Sequence, residues 1–298
     1  MQAQLLSSDA SGVRAAAARL AALAISQRGF CVCRGGLDRE TVADAGCEVN
    51  GLFQSGVMTP GGFTVAGRDD VVAAKRDDHT LWLHEHLTAV GGPERANADT
   101  TLALDHVLSG FGEAVVDALS ALERPDEPHG RARDGSKLHY TGRTDLMLAC
   151  YPGSGAHYGP HVDNVDGDGR EALDHGRVFT LVYYLNSEHW DAEGQGGLLR
   201  MHLAPKRSAH DVGTRASEKH KPGGMWANEV RTMQTPHEAV DVIPRGDTLV
   251  IFRADQMLHE VRPAHATRLA ATMWLYAGTE AQRARQDRAM KSTRGGRP

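Results

Sequence analysis

The sequence is short of cysteine, of aromatic residues and of long apolar runs, and these shortages already narrow the reading. Four cysteines (Cys31, Cys33, Cys47 and Cys150) are too few and too scattered for a disulfide framework. Cys31-Val32-Cys33 is the close pair, and two thiols on one face of a strand account for it better than a metal site does. A reducing, intracellular compartment fits, so a cytoplasmic location is expected, with the nucleus also open. No apolar run reaches the roughly 18 residues of a membrane helix, so no membrane span is expected. Met1 to Ala10 lacks a basic start followed by an apolar stretch, so no secretory signal is expected. Positive charge is short too. The net charge of -5 gives no electrostatic reason for a nucleic-acid partner. What is present is ordinary: 41% hydrophobic and 24% charged residues can fill a real core. A length of 298 residues suits one large domain or two small ones.

The first part of the chain reads as mixed structure. Residues 11–27 are Ala/Leu-rich and predict a helix, followed by a short strand at 29–33. A second helix is expected over 38–53, with Asp38 as its N-cap and Thr41 in the first turn. Residues 56–65 read as a turn region, and 79–83 as a strand. Apolar positions at Leu102, Leu104, Val107, Leu108, Phe111, Val115, Val116 and Leu119 have helical spacing. Residues 124–137 read as a loop. From about residue 138 short β-like runs follow one another at 146–151, 157–163, 178–185, 197–203, 239–243, 247–253, 258–262 and 268–276. Many short strands with turn signals and no interrupting long helix suggest a sandwich or barrel rather than a parallel βαβ sheet. Two polar stretches, 164–177 and 204–238, are too long for ordinary connections and read as lids or disordered insertions.

His161-Val162-Asp163 is the motif that carries chemistry. In a strand, residues i and i+2 point to one face, so both side chains can bind one metal ion. A second histidine from a distant strand completes a two-histidine, one-carboxylate facial triad. That set leaves three adjacent positions open, which suits non-haem Fe(II) and O2. His259 is the choice for that ligand because Arg268 follows nine residues later, at the head of an apolar strand. A strand-borne Arg can clamp the distal carboxylate of 2-oxoglutarate through two parallel hydrogen bonds. Arg268, Ala270, Thr272 and Trp274 share one face of that strand. His157, His175, His189, His202 and His265 compete for the third position, but none has such an Arg downstream in a strand. An isolated H-x-D is common by chance; its combination with a later histidine and a strand-borne Arg is not. Both histidines must be neutral to ligate, so activity is expected to fall at acid pH.

At this point longer runs become informative. Met147-Leu148-Ala149-Cys150-Tyr151-Pro152-Gly153 leads into His161-Val162-Asp163-Asn164 and Gly167-Asp168-Gly169-Arg170. Then come Tyr183-Tyr184-Leu185-Asn186, Trp190-Asp191-Ala192, Gly196-Gly197-Leu198-Leu199-Arg200 and the stretch His259 to Arg268, with Trp274 beyond. In this order they resemble the hypoxia-inducible-factor prolyl hydroxylases over about residues 138–278. The earlier part is similar more loosely, chiefly at Lys75 to Trp82. The resemblance implies a mostly β fold with flanking helices (α+β): a double-stranded β-helix of the jelly-roll or cupin-like type. It divides the chain into a supporting region (1–137), the oxygenase core (138–278) and a basic, disordered tail (279–298). It implies Fe(II) at His161, Asp163 and His259, and 2-oxoglutarate on Arg268 with Tyr151 beside its distal carboxylate. Tyr184, Leu199, Val261, Thr272 and Trp274 fall at positions lining the cosubstrate pocket, and ascorbate is a further expected cofactor.

The same resemblance implies that Asp78 and Arg170 pair, linking the substrate-covering loop to the core, with Arg177 as a competitor for Asp78. It implies a prolyl 4-hydroxylase that consumes O2 and 2-oxoglutarate, releases succinate and CO2, and acts on a target proline in a protein substrate. Oxygen sensing belongs to that family, but it turns on the apparent affinity for O2. The chain departs from the family by about ten extra residues at Glu171 to Phe179 and about thirty after Leu203. Rival readings are the same chemistry on a free amino acid or small molecule, a non-catalytic cupin-like scaffold, and a nucleic-acid demethylase. The retained Arg268 and triad speak against the scaffold, and the negative charge against the demethylase.

Overall fold

From Met147 onward, the strands of the large sheet bury one row of side chains against helices and the opposite row toward a second, smaller sheet. The computed structural model describes residues 11–34, 36–61, 76–90, 99–122, 131–132, 136–164, 177–203 and 238–278. Helix α1 (Ser11–Arg28) leads into β1 (Phe30–Arg34), followed by α2 (Arg39–Gln54), β2 (Thr59–Pro60) and β3 (His79–Trp82). Next come α3 (Leu83–Val90), α4 (Asp99–Ala121), β4 (His139–Arg143), β5 (Met147–Tyr151), β6 (Ala156–His161) and β7 (Arg177–Tyr184). The short α5 (Ala192–Gln195), β8 (Leu199–His202), β9 (Ala239–Val242), β10 (Thr248–Arg253), β11 (Leu258–Ala264) and β12 (Arg268–Gly278) complete the described elements.

The strands form two sheets. The large one runs β1-β10-β7-β12-β5-β3-β2, with β4 also on β12; the small one runs β6-β11-β8-β9. All of the ladders are antiparallel. This is the double-stranded β-helix core expected from the sequence. One face of the large sheet is covered by helices: Ala22 and Ile25 of α1, Val42 and Val49 of α2, and Leu108, Phe111 and Val115 of α4 pack on Leu181, Tyr183, Met273 and Leu275. The opposite face looks toward the small sheet. β12 shows the division cleanly: Leu269, Ala271, Met273 and Leu275 join the helical core, whereas Ala270 and Trp274 join the clusters between the sheets. Strands β1, β3 and β2 from the first part of the chain extend the large sheet, so both parts share one core.

Helix α2 begins as its sequence predicts, with the Asp38 carboxylate accepting from Thr41 N at 2.8 Å and from Thr41 Oγ1 at 2.7 Å. Helix α3 replaces the end of the strand expected at 79–83. Its cap is non-local: Asp145 Oδ2 accepts from His84 N at 2.8 Å, so no residue beside the helix signals its start. Strand β4, polar and half-buried throughout, is also absent from the sequence reading. Cys31 and Cys33 pack against the helical core with their sulfurs 3.4 Å apart, and neither belongs to a group of three possible metal ligands among the described residues. Among the described residues no helix is long and apolar enough to cross a membrane. The stretches 165–176 and 204–237, Arg170 and the tail 279–298 lie outside the described residues.

Helix α4 approaches the sheet through Gly112, where an added Cβ would stand 2.9 Å from Leu275 Cδ1 and 3.2 Å from Leu181 Cδ2. Gly112→Val is expected to cost about 1–3 kcal/mol by overpacking this contact. Urea unfolding checks it; an unchanged midpoint would mean that Leu275 yields without strain.

Candidate active site

β6 and β11 pair so that His161 stands directly opposite His259. Their ring centroids are 4.2 Å apart. Each imidazole places Nδ1 against the backbone carbonyl two residues before it, Gly159 O at 2.9 Å and Met257 O at 3.0 Å. A carbonyl can only accept, so Nδ1 carries the proton in each ring and Nε2 presents its lone pair to the space between the sheets. Asp163 closes the triangle. Its Oδ1 lies 3.4 Å from His161 Nε2 and 3.8 Å from His259 Nε2, and the three ligand atoms lie within 4.8 Å of one another.

The route by which Asp163 arrives differs from the expected one. β6 ends at His161, so the carboxylate is not placed by strand alternation. A turn places it instead. Asn164 N donates to Ala254 O at 3.0 Å and Asn164 Nδ2 to Arg177 O at 2.6 Å. Thr180 Oγ1 then donates to Asp163 Oδ2 at 2.6 Å, which leaves Oδ1 as the free oxygen. Burial alone would raise the Asp163 carboxyl, but His259, His161 and the Thr180 hydroxyl together hold it far below the usual carboxylate range. Burial, aided by the neighbouring His161, depresses His259 to about 4, so its imidazole is neutral at physiological pH. Tyr158 stacks on His161 at 3.7 Å between centroids, and Phe252 packs on His259 at 4.6 Å.

Arg268 lies on β12 opposite Tyr151 and is only 2% exposed. Its guanidinium carbon sits 4.9 Å from the ring of Tyr151 and 4.9 Å from that of Tyr184. Nε donates to Gly197 O at 2.7 Å. No carboxylate among the described residues is within ion-pair distance of it. A buried cation without a counter-ion is costly, so an anionic ligand is the fitting partner. Tyr184 Oη and Trp274 Nε1 are also buried without hydrogen-bond partners among the described residues. Leu199 and Val261 face each other across β8 and β11, both buried. Thr272 is buried on β12, and Trp274 packs against Trp82 at 5.9 Å with the Arg177 guanidinium 4.4 Å above its ring.

The rival histidines go elsewhere. His157 pairs with Asp77, His202 with Glu260 and exposed His189 with Glu188; His265 stands outside the triad, and His175 is not among the described residues. The expected Asp78–Arg170 pair falls outside the described residues at Arg170. Within them Asp78 takes both oxygens to Arg76, at 2.7 Å each, while Arg177 stacks on Trp274. β7 begins at Arg177, inside the stretch Glu171 to Phe179 read as an insertion before the strand. Thr180, Gly197 and Tyr158 are not singled out by the sequence reading. Thr180 was within reach: it shares a strand face with Tyr184, four residues on. Thr180→Val is expected to weaken divalent-metal binding about 10–100-fold, and Thr180→Ser less; equilibrium dialysis against Mn(II) checks it, and an unchanged affinity for Thr180→Val would refute the role.

A second histidine-carboxylate cluster, His84, Asp105 and Asp145, is already spoken for. Arg143 takes both oxygens of Asp105 at 2.8 and 2.7 Å, and Asp145 caps α3.

Comparison with known proteins agrees with this geometry. Residues 146–276 match the model of the 2OG-Fe(II) oxygenase superfamily, so this part of the chain is an Fe(II)/2-oxoglutarate oxygenase domain. Over most of its length the chain is similar to the hypoxia-inducible-factor prolyl hydroxylases. Egl nine homolog 1 of Homo sapiens is 30% identical over 262 residues, 88% of this chain and 47% of that protein. The hypoxia-inducible factor prolyl hydroxylase of Caenorhabditis elegans is 30% identical over 240 residues, 80% of this chain and 25% of that protein. The chain thus spans about half the length, or less, of these curated relatives. Among solved structures, the Trichoplax adhaerens prolyl hydroxylase in complex with a hypoxia inducible factor peptide fragment superposes with a TM-score of 0.59 at 24% identity, covering 94% of this chain and 97% of that one. A Pseudomonas putida prolyl-4-hydroxylase gives 0.52 at 21% identity, covering 87% and 98%.

Proposed function

We propose that this chain is an Fe(II)- and 2-oxoglutarate-dependent dioxygenase that 4-hydroxylates a prolyl residue in a protein substrate. One observation carries the enzyme class: three ligand atoms with free lone pairs converge in the inter-sheet space that also holds buried Arg268, which has no carboxylate partner among the described residues. His161, Asp163 and His259 would hold the iron. Arg268 would clamp the distal carboxylate of 2-oxoglutarate, with Tyr151 and Tyr184 flanking the guanidinium and Leu199, Val261, Thr272 and Trp274 lining the pocket. Bound iron and 2-oxoglutarate supply the oxidation, in which O2 is consumed, succinate and CO2 leave, and one C–H bond of the substrate becomes C–OH.

The protein's own contribution is placement. The Gly159 and Met257 carbonyls fix which imidazole nitrogen faces the metal, and Thr180 restricts Asp163 to one free oxygen. The apolar walls between the sheets keep the site dry. The prolyl substrate is supported by the two prolyl hydroxylases of similar fold and by the homology to the curated relatives. Ascorbate would serve as the reductant that keeps the iron ferrous, and the four free cysteines support a reducing, cytoplasmic setting.

The test is succinate formation by the purified protein with Fe(II), ascorbate and 2-oxoglutarate, offered a panel of proline-containing protein domains and free proline. Mass spectrometry should find one added oxygen on a single prolyl residue. Succinate that rises with free proline alone would move the substrate to small molecules. No succinate from protein with metal bound would favour a scaffold.

A further inference from the structure

The turn from Trp190 to Gly197 has no role assigned to it above, yet it touches the clamp directly. Trp190 is buried, and its indole Nε1 donates to Gly196 O at 2.9 Å. Gly197 N donates to Pro263 O at 2.9 Å, which ties the turn to β11. Gly197 O then accepts from Arg268 Nε at 2.7 Å. Both glycines lie in the left-handed region, with φ of 63° at Gly196 and 69° at Gly197. A Cβ on Gly197 would stand 2.9 Å from Arg268 Cδ and 3.2 Å from Ala264 Cβ. The backbone is therefore seated against the arginine stem, at a distance only glycine allows.

A guanidinium is planar, so holding Nε–H fixes the plane of the whole group and the direction of its Nη1/Nη2 edge. The Tyr151 and Tyr184 rings, each 4.9 Å from the guanidinium carbon, flank that plane. At the other end of the pocket the three metal-ligand atoms are fixed by their own hydrogen bonds. The span between the ligand atoms and the cation is thus held by fixed hydrogen bonds at both ends. We propose that the Trp190–Gly197 turn is a positioning device that sets the depth of Arg268 and thereby the length of the 2-oxo diacid the site accepts, selecting the five-carbon over the six-carbon acid. This rests on the reading of Arg268 as the cosubstrate clamp.

Isothermal titration under nitrogen, with Mn(II)-loaded protein and either 2-oxoglutarate or 2-oxoadipate, tests the proposal in the wild type, Gly197→Ala, Trp190→Phe and Arg268→Met. Trp190→Phe keeps the packing and deletes only the bond to Gly196. The wild type should prefer 2-oxoglutarate. Gly197→Ala should lose about tenfold or more in 2-oxoglutarate affinity, the loss of one charge-assisted hydrogen bond. Trp190→Phe should move the same way by less. Discrimination between the two acids should narrow in both variants, while Mn(II) affinity without diacid stays as in the wild type. Wild-type affinity and discrimination in Gly197→Ala would overturn the proposal, as would a parallel loss of Mn(II) affinity, which marks general damage. If Arg268→Met binds 2-oxoglutarate as the wild type does, the clamp reading itself fails and this inference with it; if only Gly197→Ala is silent, the clamp stands and the turn has no role in it.

Discussion

Asp163→Ala should lose more than about a hundredfold in divalent-metal affinity, since loss of a residue that merely orients a ligand already costs about 10–100-fold. Succinate production should vanish with it. Asp163 is the one anionic donor of the triad, and its free Oδ1 stands 3.4 and 3.8 Å from the two imidazole nitrogens. Without it, two neutral histidines would face a dication with no charge to offset it. Equilibrium dialysis with Mn(II) measures the effect, and far-ultraviolet circular dichroism establishes that the fold survives. His157→Ala is the control: it breaks the Asp77 pair and should leave metal binding alone. Metal binding by Asp163→Ala at wild-type strength would remove this ligand set from consideration.

The proposed triad and clamp could be read from the sequence because each rests on a short-range regularity. His161 and Asp163 are two residues apart, His259 is tied to Arg268 by spacing, and strand alternation puts Arg268, Ala270, Thr272 and Trp274 on one side of β12. The same alternation made β5, β7, β10 and β12 legible, since each buries a continuous apolar row. What the sequence hid is held by contacts between distant residues. The start of α3 is capped from Asp145, 61 positions away. β4 has no apolar row to announce it and exists because the far end of β12 offers it a partner. Asp163 reaches the site by a turn anchored at Ala254 and Arg177, not by the strand geometry its spacing suggests. Gly197 enters the sequence reading only as part of the run Gly196 to Arg200, yet it acts as a backbone acceptor for a side chain 71 positions on. Local pattern reports which face a residue occupies; it does not report which distant atom will take up its free hydrogen-bonding group.

Arg268→Met should separate stability from function in opposite directions. Arg268 is 2% exposed, and its guanidinium donates to Gly197 O with no carboxylate partner among the described residues. Two aromatic faces return about 0.5–2 kcal/mol each at most, against several kcal/mol for desolvating the ion. Replacing it with an apolar side chain of similar length removes that penalty, so the ligand-free variant should unfold at the same temperature as the wild type or higher. Binding should respond the other way. In Mn(II)-loaded wild type, 2-oxoglutarate at a hundred times its Kd should add about 2.7 kcal/mol of stability, read as a higher Tm. Arg268→Met should show about a third of that increment or less, because the distal carboxylate would enter a pocket with no cation to receive it; the loss corresponds to about 2–5 kcal/mol of binding. A variant that melts earlier without ligand and still gains full stability from 2-oxoglutarate would make Arg268 a structural pin and place the carboxylate elsewhere. The expected pattern, a cation costly to the empty protein and needed by the loaded one, is what distinguishes a binding residue from a packing residue at a position buried this deeply.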